Sequence, residues 1–288
     1  MIKRVILTPN PYRDKNFQTV RNAMRILQEA GIEVRLCLPF EVDRAYDLPR
    51  DLRFHKLDRE ILNTDLVICF GGDGTILHMA KAATRQGVPI LGVNIGTMGF
   101  MAELESSELS QLSRLATGDY AIDSRMMLDV TVRRDRDIIY HDICLNDVVV
   151  TKGAVARIVY LAVSCDGAQA MECGGDGIIV ATPTGSTAYN LSAGGPIVEP
   201  EARSILITPI CAHDMVSRPL VASDERVITL ELRRNMRRNA FLSVDGGKAV
   251  RLNMGDVTTV RKSELQTKLL RLKDRSFYDV LNLKFKSN

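Results

Sequence analysis

The segment Gly71-Gly72-Asp73-Gly74-Thr75 is the part of this 288-residue chain best suited to chemistry. It lies between an apolar run, Leu66-Val67-Ile68-Cys69-Phe70, and a helix-type pattern over Ile76–Arg85. Its glycines let the backbone take positive φ and let a phosphate approach closely. A helix starting just beyond them offers free amides and the positive end of its dipole. Gly71, Gly72, Gly74 and Thr75 therefore read as a phosphate loop. Asp73 adds a second function, because a carboxylate beside bound phosphates repels them unless it holds Mg²⁺ or accepts the proton of an attacking hydroxyl. The loop lacks Gly-Lys-Ser/Thr and does not fit Gly-x-Gly-x-x-Gly, which excludes a Walker-type loop and a dinucleotide fingerprint. The same residues also fit a tight strand–helix turn with Asp73 as a cap. His78, one turn into the helix, reads as a phosphate contact or as plain surface.

A second glycine-rich strand end follows at Gly92-Val93-Asn94-Ile95-Gly96-Thr97-Met98-Gly99-Phe100, and two such loops side by side would build a crevice. Further on, Thr182-Pro183-Thr184-Gly185-Ser186-Thr187-Ala188-Tyr189 runs from a strand through a hydroxyl-rich turn into a short helix, continuing Asn190-Leu191-Ser192. Hydroxyls, amides and a tyrosine ring suit a nucleoside; a capped helix interrupting a β domain is the plainer reading. Asn146-Asp147 sits in apolar surroundings and could bracket a ribose diol or a base edge, or form a hairpin turn. Arg157 opens a strand as a phosphate contact or a solvated side chain. Asp245-Gly246-Gly247 reads first as a hairpin.

The elements that must position these residues come in two styles. Up to about residue 122, strand and helix patterns alternate: Arg4–Thr8, a helix face of Phe17, Val20, Met24 and Leu27, then Ile32–Cys37, Leu66–Phe70, Ile76–Arg85 and Pro89–Asn94. This predicts an open α/β sheet of Rossmann-like type. From Met126 to about Leu272 many short β-type runs are punctuated by turn signals, which predicts an all-β sandwich. The tail Ser276–Phe285 returns to a helical pattern and is expected to pack back on the first domain. The expected domains are 1–122 joined by 273–288, and 123–272.

A net charge of +3 is too small for nucleic-acid binding by bulk charge, and no apolar run approaches the ~20 residues of a membrane span. Six scattered cysteines without C-x-x-C fit reduced core thiols and a cytoplasmic protein, with neither a disulfide framework nor a zinc site.

Taken in order, Gly71–Thr75, Asn94-Ile95-Gly96 with Gly99-Phe100, Leu145-Asn146-Asp147, Gly175-Asp176-Gly177, Thr182–Tyr189 with Ala193-Gly194-Gly195-Pro196, Pro209–His213 and Arg218-Pro219-Leu220 resemble the NAD kinase family over nearly the whole chain. The resemblance implies an N-terminal α/β domain, a C-terminal β-sandwich, a site between them and a homodimer or homotetramer. It implies transfer of the terminal phosphate of ATP, with Mg²⁺ and in some members polyphosphate as donor, to the 2′-hydroxyl of the adenosine ribose of NAD. Asp73 would be the base, with Gly74 beside it. Asn146 and Asp147 would hold the dinucleotide, Asp176 its nicotinamide side, and Thr187, Ala188, Tyr189, Asn190, Leu191 and Ser192 would line the adenine side. Arg157 and His78 stand where phosphate contacts are expected. Three positions depart from the family pattern: Asp147 replaces the usual Glu, Gly247 the usual Gln, and Ala212 the usual Pro. The competing readings are a lipid or sphingoid-base kinase sharing the first loop, and a non-catalytic NAD(P)-binding regulator.

Overall fold

The computed structural model describes residues 1–43, 46–96, 99–153, 158–213, 216–233 and 240–286. The chain divides into two compact units, 1–124 with 267–288, and 125–266.

In the first unit, strands β1 (Arg4–Pro9), β2 (Glu33–Cys37), β3 (Phe54–His55), β4 (Leu66–Gly71) and β5 (Ile90–Asn94) form a parallel sheet in the order β3-β2-β1-β4-β5. A short β6 (Leu104–Glu105) pairs with β5. Every residue of β4 and β5 is buried, as parallel strands covered on both faces require. Helix α1 (Gln18–Glu29) buries Val20, Ala23 and Leu27 in the same cluster as Leu7, Ile68, Phe70 and Val93. At ~1.5–3 kcal/mol for each large side chain, such clusters supply most of the driving force for the fold. Asp14 starts α1 by accepting from the amides of Thr19 and Val20, both at 2.9 Å. Helix α2 (Asp73–Arg85) packs on β4 and β5 through Ile76, Met79, Ala80 and Ala83. It begins three residues earlier than the apolar periodicity indicates, since Gly72 is its N-cap and Asp73 its first residue. An acidic side chain there complements the helix dipole.

The C-terminal segment completes this unit. Buried Glu103 accepts from the amides of Leu272 (2.9 Å) and Lys273 (2.7 Å) and from Arg271 Nη1 (3.3 Å), anchoring the returning chain. The segment ends in helix α3 (Phe277–Lys286), started by a reciprocal pair in which Ser276 N donates to Asp279 Oδ2 and Asp279 N to Ser276 Oγ.

The second unit is a β-sandwich. Strands β7 (Ala121–Arg134), β8 (Asp137–Cys144), β9 (Asp147–Lys152), β10 (Val159–Cys165), β11 (Ala168–Gly175), β12 (Gly177–Ala181), β13 (Ser204–Ile210), β14 (Leu220–Ser223), β15 (Ile228–Leu232), β16 (Ala240–Val244), β17 (Val250–Leu252) and β18 (Val257–Arg271) supply it, with β7 and β18 crossing the boundary between units. One sheet runs β14-β13-β12-β9-β16-β17, antiparallel throughout. Alternate residues Val148, Val150, Ile178, Val180, Ile205, Ile207, Leu242 and Val244 meet Leu128, Val130, Leu161, Val163, Leu230 and Val260 from the facing strands. The other face of the six-stranded sheet is also apolar, and Ile179, Ala181 and Leu206 are covered by Ala193 and Val198. This explains why β12 is unbroken in its hydrophobicity: the Thr184–Val198 excursion is its lid.

All six cysteines are free, four of them buried, and burial pushes the Cys37 and Cys69 thiols up to about 12. Among the described residues no helix is long and apolar enough to cross a membrane.

Candidate functional site

The end of β4 and the start of α2 open into a cavity of about 410 Å³ lined by Gly72, Asp73, Gly74, Thr75 and His78, joined by Asn10, Arg13, Phe40, Gly99 and Lys284. Each glycine of the loop has its own reason. A Cβ on Gly71 would fall 2.9 Å from Thr75 Cβ and closer still to Thr75 Oγ1, whereas a Cβ on Gly74 would meet nothing within 4 Å. Gly71 is thus required by packing, and Gly74 leaves the cavity wall open. Thr75 is buried and its hydroxyl accepts from Asn10 Nδ2 (3.2 Å), which ties the turn after β1 to the loop. Asn10 Oδ1 in turn accepts from Tyr12 N (3.0 Å), shaping the turn that presents Arg13. The Arg13 guanidinium donates to Ile95 O (3.4 Å) and ion-pairs with no carboxylate among the described residues. The exposed His78 ring packs against Phe40, 5.3 Å between centroids.

Asp73 is held by the second glycine loop. Its Oδ2 accepts from Phe100 N (2.8 Å) and its Oδ1 from Met101 N (3.0 Å). Gly99 makes room: a Cβ there would lie 2.5 Å from Asp73 Cγ and closer still to Oδ1. The carboxylate is therefore fixed in orientation while each oxygen keeps a further lone pair for a ligand. Thr97 and Met98 lie outside the described residues.

In the second unit, the Leu145–Asp147 turn is organised by Asp245. Its carboxylate accepts from the amides of Leu145 (2.9 Å), Asn146 (2.8 Å) and Asp147 (3.2 Å). Asp245 itself takes a left-handed backbone (φ 51°), so the hairpin Asp245-Gly246 aims a side chain at a turn about a hundred residues earlier in the chain. Thr182 closes the turn from the other side, its hydroxyl donating to Leu145 O (2.5 Å) and its amide to Asn146 O (2.9 Å). Gly185 packs flat on this backbone, where a Cβ would meet Asn146 C at 2.6 Å.

The turn leaves two unused acceptors. Buried Asn146 Oδ1 has no hydrogen-bond partner, and the Asp147 carboxylate, only 6% exposed, accepts none among the described residues. Burial first, and the negative charge of Asp245 second, push the Asp147 carboxyl up to about 7. Because this folded value stands above the unfolded 3.8, the native state binds the proton more tightly, and stability falls as pH rises from about 4 through 7. Asp147→Asn, which does not titrate, should remove that fall and be more stable than the parent above pH 7, by on the order of 4 kcal/mol. Urea denaturation across pH 4–8 would check this, and parallel curves for the two proteins would refute it.

Other expected site residues are placed variously. Tyr189 (43% exposed) and Ser192 are open to solvent, and Thr187, Ala188 and Leu191 are partly buried. Asn190 is fully buried with its amide saturated: Nδ2 donates to Ser186 O and Pro196 O, and Oδ1 accepts from Thr208 Oγ1 at 2.6 Å. These bonds hold the lid of β12. Asp176 pairs with Lys152 Nζ (2.5 Å). It precedes Gly177 at the far end of β12 from Ala181, the partner of Asp147, hence roughly 16 Å along the strand at ~3.3 Å per residue. Arg157 lies outside the described residues. Sequence reasoning missed Asn10, Arg13, Gly99 as the clamp's clearance, Lys284, and Asp245 as an anchor. The Pro-Asn-Pro at the end of β1 and the acidic residue opening Asp245-Gly246-Gly247 were the only signals.

A parallel sheet ending in a glycine loop with a clamped carboxylate, followed in the chain by a sandwich whose Leu145–Asp147 turn leaves acceptors unpaired, is an arrangement suited to a kinase of small nucleotide-like molecules. The family models described as the ATP-NAD kinase N-terminal and C-terminal domains match residues 5–120 and 145–272. An NAD kinase of Acetivibrio thermocellus is 36% identical over 279 residues, covering 96% of this chain and 95% of its own. One of Natranaerobius thermophilus is 38% identical over 286 residues, covering 98% of each. Two solved structures are similar: yeast NADH kinase complexed with NADH (TM-score 0.85, 27% identity, 100% of this chain and 89% of that one), and an NAD kinase from Archaeoglobus fulgidus in complex with ATP (TM-score 0.76, 26% identity, 99% and 100%). The chain belongs to the NAD kinase family.

Proposed function

We propose that this protein is an ATP-dependent NAD kinase, transferring the terminal phosphate of ATP to the 2′-hydroxyl of the adenosine ribose of NAD and producing ADP and NADP. The observation that carries this reading is the match of both family domains, which together span most of the chain. The geometry of each unit supports assigning roles within it.

Asp73 acts as general base on the acceptor hydroxyl. Its two backbone hydrogen bonds fix the carboxylate's direction, and pre-set orientation is worth several kcal/mol of barrier in such reactions. Gly72, Gly74 and the first amides of α2 receive phosphate oxygens, and Arg13 contributes positive charge to the same cavity. His78 stands at the rim for a further phosphate contact. Because phosphoryl transfer demands little covalent chemistry from the protein, positioning and charge compensation carry the rate.

Asn146 and Asp147 bind the dinucleotide through the acceptors the fold leaves unpaired, taking hydrogen bonds from ribose hydroxyls or a base amine. Tyr189 offers a ring face, Ser192 and Thr187 hydroxyls, and Ala188 and Leu191 apolar contact. Asp176 serves the nicotinamide side.

The residues present fit a Mg²⁺ that arrives with the donor. Among the described residues no group of three side chains could cage a metal, and the cavity offers Asp73 as its one carboxylate. Mg²⁺ prefers water and phosphate oxygens with one or two carboxylates, and when bound it would neutralise charge on the transferring phosphoryl group. We further expect a cytoplasmic homodimer or homotetramer.

A coupled assay offering ATP, GTP and polyphosphate against NAD and NADH tests the reading. Formation of NADP from ATP and NAD is expected, and its absence with every donor and acceptor would overturn it.

A further inference from the structure

Lys284 enters the Asp73 cavity from the far end of the chain. It sits on α3, and its side chain is half-buried. Two of the basic residues that lead into α3 are used within the fold: Arg271 pairs with Glu103 and Asp123, and Lys273 with Glu108 at 2.6 Å. Lys284 pairs with no carboxylate among the described residues, and its ammonium lies 5.5 Å above the Phe100 ring. A half-exposed cation–aromatic contact of this kind stabilises little. A lysine left unpaired beside a phosphate loop brings a compact, mobile positive charge with three donors, which suits a phosphate oxygen.

The same helix reaches the catalytic carboxylate by a second route. Phe100, under the ammonium, donates its amide to Asp73 Oδ2 and packs its ring on Phe277, 6.2 Å away, at the start of α3. Met101, the other amide on Asp73, has its carbonyl held by Arg271 Nη1 (3.1 Å). The C-terminal segment therefore supports the loop that orients Asp73, and it carries Lys284 to the place where phosphates would lie.

We propose that Lys284 is a substrate-binding residue of the kinase reaction, its ammonium contacting the outer phosphates of the nucleoside triphosphate donor, together with Arg13 from the other end of the chain. The inference rests on the NAD kinase reading. Without that charge the donor binds less well, and the dinucleotide is affected little.

The test compares the intact protein with Lys284→Met, which keeps the stem over Phe100 and removes the charge, with Lys284→Arg, which keeps the charge, and with Lys286→Met, an exposed control on the same helix. Losing a charge-assisted hydrogen bond should raise KM for ATP about 10–100-fold in Lys284→Met. KM for NAD and the melting temperature should stay near those of the parent, Lys284→Arg should recover most of the loss, and Lys286→Met should match the parent. An unchanged KM for ATP in Lys284→Met would overturn the proposal. So would equal losses for ATP and NAD with a lowered melting temperature, since that marks a structural role. If the parent protein makes no NADP, the kinase reading itself fails. Calorimetric titration with ATP then still compares Lys284→Met with the parent, and equal affinities would overturn the contact independently.

Discussion

Asp73→Asn is expected to fold, to bind NAD with near-parental affinity and to lose about 10²–10⁴-fold in kcat, the range for removing a positioned general base. Asp73 is the first residue of α2, partly open to the cavity, and asparagine keeps its shape. One of the two amides, Phe100 N or Met101 N, can still donate to the asparagine carbonyl. The other then faces an NH₂ group, and leaving that donor unpaired costs about 1–3 kcal/mol. A modest fall in melting temperature should therefore accompany the loss of turnover. Steady-state kinetics, NAD titration and thermal melts on one preparation would separate these effects. A variant that turned over near the parental rate would sink the assignment of Asp73 as base.

Gly99→Ala should have the second-largest effect, although residue 99 offers no side chain to any reaction. The added methyl would occupy the space of the Asp73 carboxylate, 2.5 Å from its Cγ. Asp73 cannot swing aside without losing the Phe100 and Met101 amides, and the loop cannot retreat without disturbing Met101, whose carbonyl is held by Arg271. Strain of this kind typically costs about 1–3 kcal/mol of stability. A carboxylate displaced by about 1 Å should cost on the order of 10²-fold in kcat. Because the two substitutions act on one group, the double variant Asp73→Asn/Gly99→Ala should be hardly slower than Asp73→Asn alone. Fully additive losses would show that Gly99 acts on something other than the carboxylate.

The two architectures were legible because their periodicities differ. A short, wholly apolar run such as Leu66–Phe70, closed by glycines, fits a strand covered on both faces, and the helix face of Val20 and Leu27 repeats at the spacing the sheet covers. The helical tail was legible for the same reason, and its return to the first unit is fixed by Glu103, a buried residue whose partners lie about 170 positions later. Asp147 and Asn146 were legible as polar residues in apolar surroundings. The bonding of Asn190 was not legible: inside a hydroxyl-rich turn an amide bonded within the fold and a solvent-facing one look alike in residue type, and its contacts with Ser186, Pro196 and Thr208 appear only in the structure.

By itself, then, the sequence determined that a glycine loop carrying Asp73 would end a buried strand and begin a helix, because loop, strand and helix are neighbours in the chain and local chemistry suffices. What holds Asp73 was decided only by the tertiary structure. The amides of Phe100 and Met101, the clearance at Gly99, the turn of Asn10 and Arg13, and Lys284 on the last helix come from remote segments. Backbone amides and a missing Cβ leave no signature in residue type. An orienting clamp built from them becomes visible only once parallel strands have brought their carboxyl ends to one edge and the C-terminal segment has closed behind them.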